Sequence, residues 1–195
     1  MDGFIKDAML RAKKLAISKA KWTLADLDSL PSELQYEIID CDLYFAPDPR
    51  QMEQRVANNV LAAFSEYVNR NGLGVVFDSA NYQVLDNKDV VKPDAAFYAK
   101  DTPMNFYKKS AHGVPDIIIE CIPDGYSNFY MYTKKSMYER RKVKEVWMID
   151  LATQSILVQT LDRFGYVDFS TCDKQGVAKS ALLPGFSLVG LQVFR

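Results

Sequence analysis

Residues 115–120 read Pro115-Asp116-Ile117-Ile118-Ile119-Glu120, and one lysine, Lys134, follows on a helical pattern. Successive strand side chains take opposite faces, so Asp116, Ile118 and Glu120 share one side and Ile117 and Ile119 the other. Three consecutive isoleucines argue that both faces are buried. A buried carboxylate costs of order several kcal/mol unless it is paired or coordinates a metal. Asp94 stands in a second Pro-Asp pair, Lys92-Pro93-Asp94, ahead of apolar Ala95-Ala96-Phe97. Acids on apolar strands with one inward lysine are the parts of a hydrolytic metal site.

The lysine's direction follows from its neighbours. Tyr130 and Met131 lie four and three residues before Lys134, and Met137 and Tyr138 three and four after it. Lys134 therefore sits in the middle of an apolar helical stripe and points inward, where it needs a carboxylate. That helix is predicted over 127–142. A longer helix is predicted over 50–70 from Met52, Val56, Val60, Ala63, Phe64 and Tyr67, stopped by Asn71-Gly72. Thr23 with Asp26 predicts a short capped helix from Leu24 to Leu30. Residues 36–40 and 43–45 read as a hairpin around Cys41-Asp42, a turn where glycine is the usual residue. Strands are predicted over 74–78, 82–85, 94–98, 116–122 and 145–150, with a second hairpin over 155–161 and 166–169. Residues 100–113 read as a loop, and the tail from Leu182 as extended or a short closing element. Helix, three strands, helix, strand is an α/β (α+β) order with a mixed sheet.

Composition narrows the function classes. The chain has 195 residues, 48% hydrophobic and 25% charged, the balance of a globular domain. Its formal net charge of −1 announces no overall nucleic-acid field, although local basic runs exist at Lys108-Lys109 and Arg140–Lys144. Three cysteines without CxxC spacing fit a reduced, cytoplasmic protein. With His112 as the single histidine, a structural zinc site is disfavoured. No apolar run reaches the length of a membrane span. Residues 1–22 carry six basic residues against two acidic ones and read as a basic helical extension, with residues 23–195 as the main domain.

Several segments together resemble the Uma family, a branch of the PD-(D/E)XK nuclease superfamily grouped under the name putative restriction endonuclease. They are Tyr36–Asp40, Lys92-Pro93-Asp94, Gly113–Glu120, Lys134 with Tyr138, Val143 through Glu145 to Trp147, and Leu183-Pro184-Gly185. The likeness spans about Thr23 to Phe194 and implies a restriction-endonuclease-like core, a mixed central β-sheet flanked by helices. It implies that Asp94 and Glu120 hold Mg²⁺ or Mn²⁺, with the backbone carbonyl of Cys121 as a third ligand. The superfamily's lysine usually stands two residues after the second acid. Ile122 occupies that place here, and the resemblance implies that Lys134 supplies the amine. Glu37 and Asp116 are accessory candidates. Asp116 lies about 13 Å from Glu120 along a strand, too far to share one ion. The sequence also departs from the family: Pro123-Asp124-Gly125-Tyr126 replaces a Ser-Pro-Ser-Thr-like turn, Tyr130 stands where an aspartate is usual, and Cys41 replaces a glycine.

Weighed singly, these residues have plainer readings. Aspartate after proline is a common strand-end residue, Lys134 could snorkel, and Tyr126, Phe129, Tyr130 and Tyr132 could be core or base-stacking groups. Taken together with the family order, they predict a metal-dependent DNA endonuclease, convenient as a homodimer for cutting two strands. The alternatives are a catalytically weak member of the fold that binds DNA or a protein partner, and an enzyme acting on another phosphate-containing substrate.

Overall fold

The computed structural model describes residues 19–31, 34–46 and 51–195; the helical extension expected over 1–22 falls outside them as far as residue 18. Residues 19–22 are not helical. Trp22 is buried there, and its N–H donates to the Cys41 carbonyl at 2.8 Å. Helix α1 (Leu24–Leu27) starts at the predicted cap, where the Asp26 carboxylate accepts the Thr23 N–H at 2.8 Å.

Strands β1 (Gln35–Ile39) and β2 (Asp42–Ala46) form the predicted hairpin. Its two-residue turn is Asp40-Cys41, with φ of 54° and 69°. Positive φ at both central positions is the primed turn that matches strand twist. Two non-glycine residues hold it here, each at a local cost of order 1 kcal/mol.

Helix α2 (Gln51–Asn71) buries Val56, Val60, Phe64 and Val68. Met52, placed in the stripe by periodicity, is 57% exposed. Residues spaced by four advance about 40° past a full turn each time, so a row centred between Val60 and Phe64 has rotated about 100° by Met52 but only about 60° by the still-buried Val68. Gly72, at φ 57°, ends the helix. The Gly72 and Leu73 N–H groups return to the Asn69 and Val68 carbonyls at 3.1 and 3.0 Å, the double bond of a glycine-terminated helix.

Strands β3 (Gly74–Asp78), β4 (Tyr82–Val84), β5 (Val90–Val91) and β6 (Ala95–Ala99) follow. The loop predicted over 100–113 instead contains a small hairpin, β7 (Asn105–Tyr107) and β8 (Ser110–His112). All three residues of β7 are exposed, so it lacks the apolar alternation that marks a strand in sequence. Strand β9 (Ile117–Ile122) is buried along its whole length. The predicted second helix begins as a π-helical turn, Phe129–Lys134, and continues as helix α3 (Lys135–Arg140). Then come β10 (Glu145–Asp150), β11 (Ser155–Leu161), β12 (Tyr166–Cys172), β13 (Val177–Lys179), β14 (Ser187–Val189) and helix α4 (Gly190–Val193).

The main sheet has the order β12-β11-β10-β9-β6-β3 and is mixed, with β9 and β10 parallel and the other pairs antiparallel. A second six-stranded sheet runs β2-β1-β5-β4-β8-β7. Alternation along β9 builds both cores. Ile117 and Ile119 pack with Val56, Val60 and Phe64 of α2. Ile118 and Ile122 pack with Met137 and Tyr138 of α3 and with Ile39, Val91 and Ala111 of the second sheet. Glu120 projects by the same alternation toward α3 and the second sheet.

Candidate active site

Asp94 enters β6 and Glu120 sits in β9. Ala95 pairs with Ile119 and Ala96 with Ile118, so continuing the register sets Asp94 opposite Glu120. Both belong to the sheet face that α3 covers. Lys134 ends the π-helical turn and is buried, as its place in the stripe predicts, with Tyr130, Met137 and Tyr138 buried beside it. Its Nζ lies 2.6 Å from Glu120 Oε1 and 2.9 Å from Glu37 Oε1. Glu37, on β1, comes from the second sheet, so one ammonium joins the two sheets. The Lys92 N–H donates to the same Glu37 oxygen at 2.8 Å. Tyr138 donates its hydroxyl proton to Glu120 Oε1. The Cys121 N–H donates to Asp94 Oδ2 at 2.7 Å. The Tyr130 ring centroid is 4.9 Å from Lys134 Nζ, within cation–π range.

Glu37, Glu120 and Lys134 are only 2%, 1% and 1% exposed, so their charges are not screened by bulk water. Burial pulls the Lys134 ammonium down, but Glu120 and Glu37 outweigh it and hold the amine above its ordinary value. Burial pushes Glu120 up; Lys134 pulls it back, and Glu37 and Asp94 push it up again, leaving it well above an ordinary glutamate. The two directions fit together, because three carboxylates share one fully buried ammonium. Asp94 is also raised, by burial first, against the Cys121 amide and Lys134. The site is short of positive charge.

Glu37, Asp94, Glu120, Tyr130 and Lys134 border a cavity of about 330 Å³ whose wall also includes Gln35, Glu53, Asn58, Ser79 and Lys92. Both contacts of Glu120 use Oε1 and that of Asp94 uses Oδ2. Cys121 opposes Pro93 in the continued register, and proline has no N–H to offer the Cys121 carbonyl on that edge. Two carboxylate oxygens and one main-chain carbonyl are hard donors and fit a divalent cation that keeps part of its water shell. Among the described residues no three His, Cys, Asp or Glu side chains form a ready-made metal cage.

Asp116 is not brought to the cavity. It accepts hydrogen bonds from the Ala99 N–H at 2.8 Å, Thr102 Oγ1 at 2.5 Å and Lys144 Nζ at 2.6 Å. Cys121 packs its side chain with Ile117 and Ile119 against α2, away from Glu120. Tyr138 and Lys92 joined the site without having been singled out as site residues. Tyr138 had a signal in its place four residues after Lys134, and Lys92 in its place beside Pro93-Asp94.

The Uma2 family, described as "Putative restriction endonuclease", matches residues 24–193. The chain belongs to the Uma2 family. No curated protein matches it. Among solved structures, a crystal structure of "a putative nuclease belonging to DUF820" from Anabaena variabilis superposes with a TM-score of 0.71 at 15% identity. The match covers 88% of this chain and 97% of that one, and at such identity it speaks for a shared fold. In this Uma2 chain Ile122 is fully committed to the core, which leaves the amine of Lys134 as the buried cation beside Glu120. Tyr130 lays its ring against that amine.

Proposed function

We propose that this Uma2 protein hydrolyses phosphodiester bonds in DNA with a divalent cation, Mg²⁺ or Mn²⁺. One observation carries the reading: Asp94, Glu120 and Lys134, from three separate elements, converge on one cavity where the acids Glu37, Glu53, Asp94 and Glu120 outnumber the cations Lys92 and Lys134. Asp94, Glu120 and the Cys121 carbonyl would hold the cation. Such a cation polarises a phosphoryl oxygen and lowers the pKa of a bound water. The chain's own part is positional. Tyr138 and Lys134 fix one oxygen of Glu120 and leave the other for the cation. Glu37 fixes Lys134 from the far sheet, so the amine is held ready to orient the attacking water or offset charge growing on the phosphate. A homodimer would present two such cavities to the two strands of a duplex.

A second reading is favoured by the near-neutral charge and by Pro123-Asp124-Gly125-Tyr126, which replaces the family's usual turn beside the cavity. In it the fold binds DNA or a protein partner with little or no catalysis. Plasmid incubated with purified protein and Mn²⁺, beside Asp94→Ala and Lys134→Ala, separates the two. Metal-dependent loss of supercoiled DNA that both substitutions abolish supports hydrolysis. Equal nicking by all three proteins would trace to a contaminant and sink it, and clear binding without cleavage would establish the second reading.

A further inference from the structure

Lys92 is a cation that no carboxylate among the described residues touches as an ion pair, although Glu37 and Asp78 attract it from farther off. It borders the cavity beside Glu37, Asp94 and Glu120 and is half-buried. Its backbone N–H is tied to Glu37, which fixes where the side chain begins. Its Nζ makes no ion pair among the described residues and rests 5.1 Å from the centroid of the Tyr82 ring. Lys134 spends its charge on Glu120 and Glu37, and Lys144 and Arg141 spend theirs on Asp116, Asp86 and Asp89. A cation held in partial desolvation by an aromatic face, with no carboxylate in contact, keeps its ammonium donors for an incoming anion. Burial pushes the Lys92 ammonium down, Glu37 and Asp78 draw it up, and Lys109 repels it, leaving it below its ordinary value.

We propose that Lys92 is the substrate-phosphate receptor of this cavity. Its ammonium leaves the Tyr82 ring and pairs with a non-bridging oxygen of the phosphate next to the one attacked, which sets the strand's register over Asp94 and Glu120. This rests on the phosphodiester reading above and adds the group that positions the substrate. Lys92 is a positioning residue: it takes no part in bond making or breaking.

The test is the salt dependence of binding. Full-length protein, Lys92→Met, Lys92→Arg and the exposed control Lys179→Met are titrated onto a labelled short duplex and its single strand in EDTA, so that no metal-dependent cleavage runs. Each phosphate neutralised contributes about 0.9 to the slope of log affinity against log salt for duplex and about 0.7 for a single strand. Lys92→Met should lose one such increment, Lys92→Arg should restore it, and Lys179→Met should match the parent. In Mn²⁺, Lys92→Met should raise KM with little change in kcat. A purely structural Lys92 would lower the melting temperature of Lys92→Met and leave the slope intact. An unchanged slope in a folded Lys92→Met overturns this proposal alone, while the parent's binding keeps the phosphodiester reading. A parent that binds neither strand and cuts neither in Mn²⁺ overturns both.

Discussion

Asp116, just before β9, and Glu120, within it, stand four residues apart, both almost fully buried, and their environments are opposite. Burial pushes Asp116 up, but the Ala99 amide, Lys144 and Thr102 outweigh it and hold it below its ordinary value. Burial also pushes Glu120 up, and there the single shared lysine does not outweigh it. Glu145, on the neighbouring strand, resembles Asp116. It accepts from Trp147 Nε1, Ser180 Oγ and the Ala181 and Leu182 N–H groups at 2.7, 2.7, 2.8 and 3.0 Å, which pins the C-terminal tail to the sheet. An acid that serves the fold is saturated with donors. An acid left short of them, facing a cavity, is held ready for something else.

The contrast can be broken first at the level of activity. Glu120→Gln keeps shape and removes charge, and should cut Mn²⁺-dependent plasmid nicking about a thousandfold or more. Asp116→Asn, assayed at a temperature where both variants are folded, should stay within about tenfold of the parent. Comparable losses in the two would erase the distinction.

Stability should rank the other way. Asp116→Ala strands the Ala99 amide and Thr102 hydroxyl and should cost about 2–3 kcal/mol in urea denaturation. A loss under about 0.5 kcal/mol would show that the triple hydrogen bond is ornamental to the fold.

The pH dependences should be mirror images. Glu120 has a folded-state value raised above its ordinary 4.5, so its contribution is fully present below that value and is lost as pH climbs toward the folded one. Asp116 is depressed below 3.8, so its contribution is present above that value and is lost as pH falls through the folded one. Without metal, Glu120→Gln should therefore raise the melting temperature on the alkaline side, by about 1 kcal/mol or more in stability. Asp116→Ala should flatten the acid limb instead. Melting curves from pH 3 to 9 read both, and an alkaline limb unchanged by Glu120→Gln would contradict the charge deficit.

The smallest effect concerns the lysines. Lys144 is 62% exposed at its side chain, so Lys144→Met should change stability by less than about 1 kcal/mol despite its short contact with Asp116. A larger loss would mean that the donors to Asp116 act as one unit rather than separately.

The residues that carry their own periodicity were legible in the sequence. Isoleucines on both faces of β9 required a buried strand, and Tyr130, Met137 and Tyr138 around Lys134 required an inward amine. What could not be read came from contacts distant along the chain or from geometry without a compositional mark. Glu37 meets Lys134 across 97 residues of sequence, and nothing local to Tyr36-Glu37-Ile38 says that the glutamate is the lysine's partner. The π-helical turn preserves the inward side of the stripe, so the pattern looks α-helical throughout. Strand β5 is two residues long and β7 wholly exposed, below the length and alternation that betray a strand. Met52 was misplaced because a four-residue row drifts around the helix.

The ammonium that joins the two sheets also sets a timetable. During synthesis, residues 37, 94 and 120 leave the ribosome before residue 134, and no charge balance among them exists until the later segment has been made and has docked against both sheets. Because such long-range closure comes late, the charge-balanced cavity and the finished tertiary structure should appear together. A half-made or clipped polypeptide would then carry the acids but not the assembled cavity.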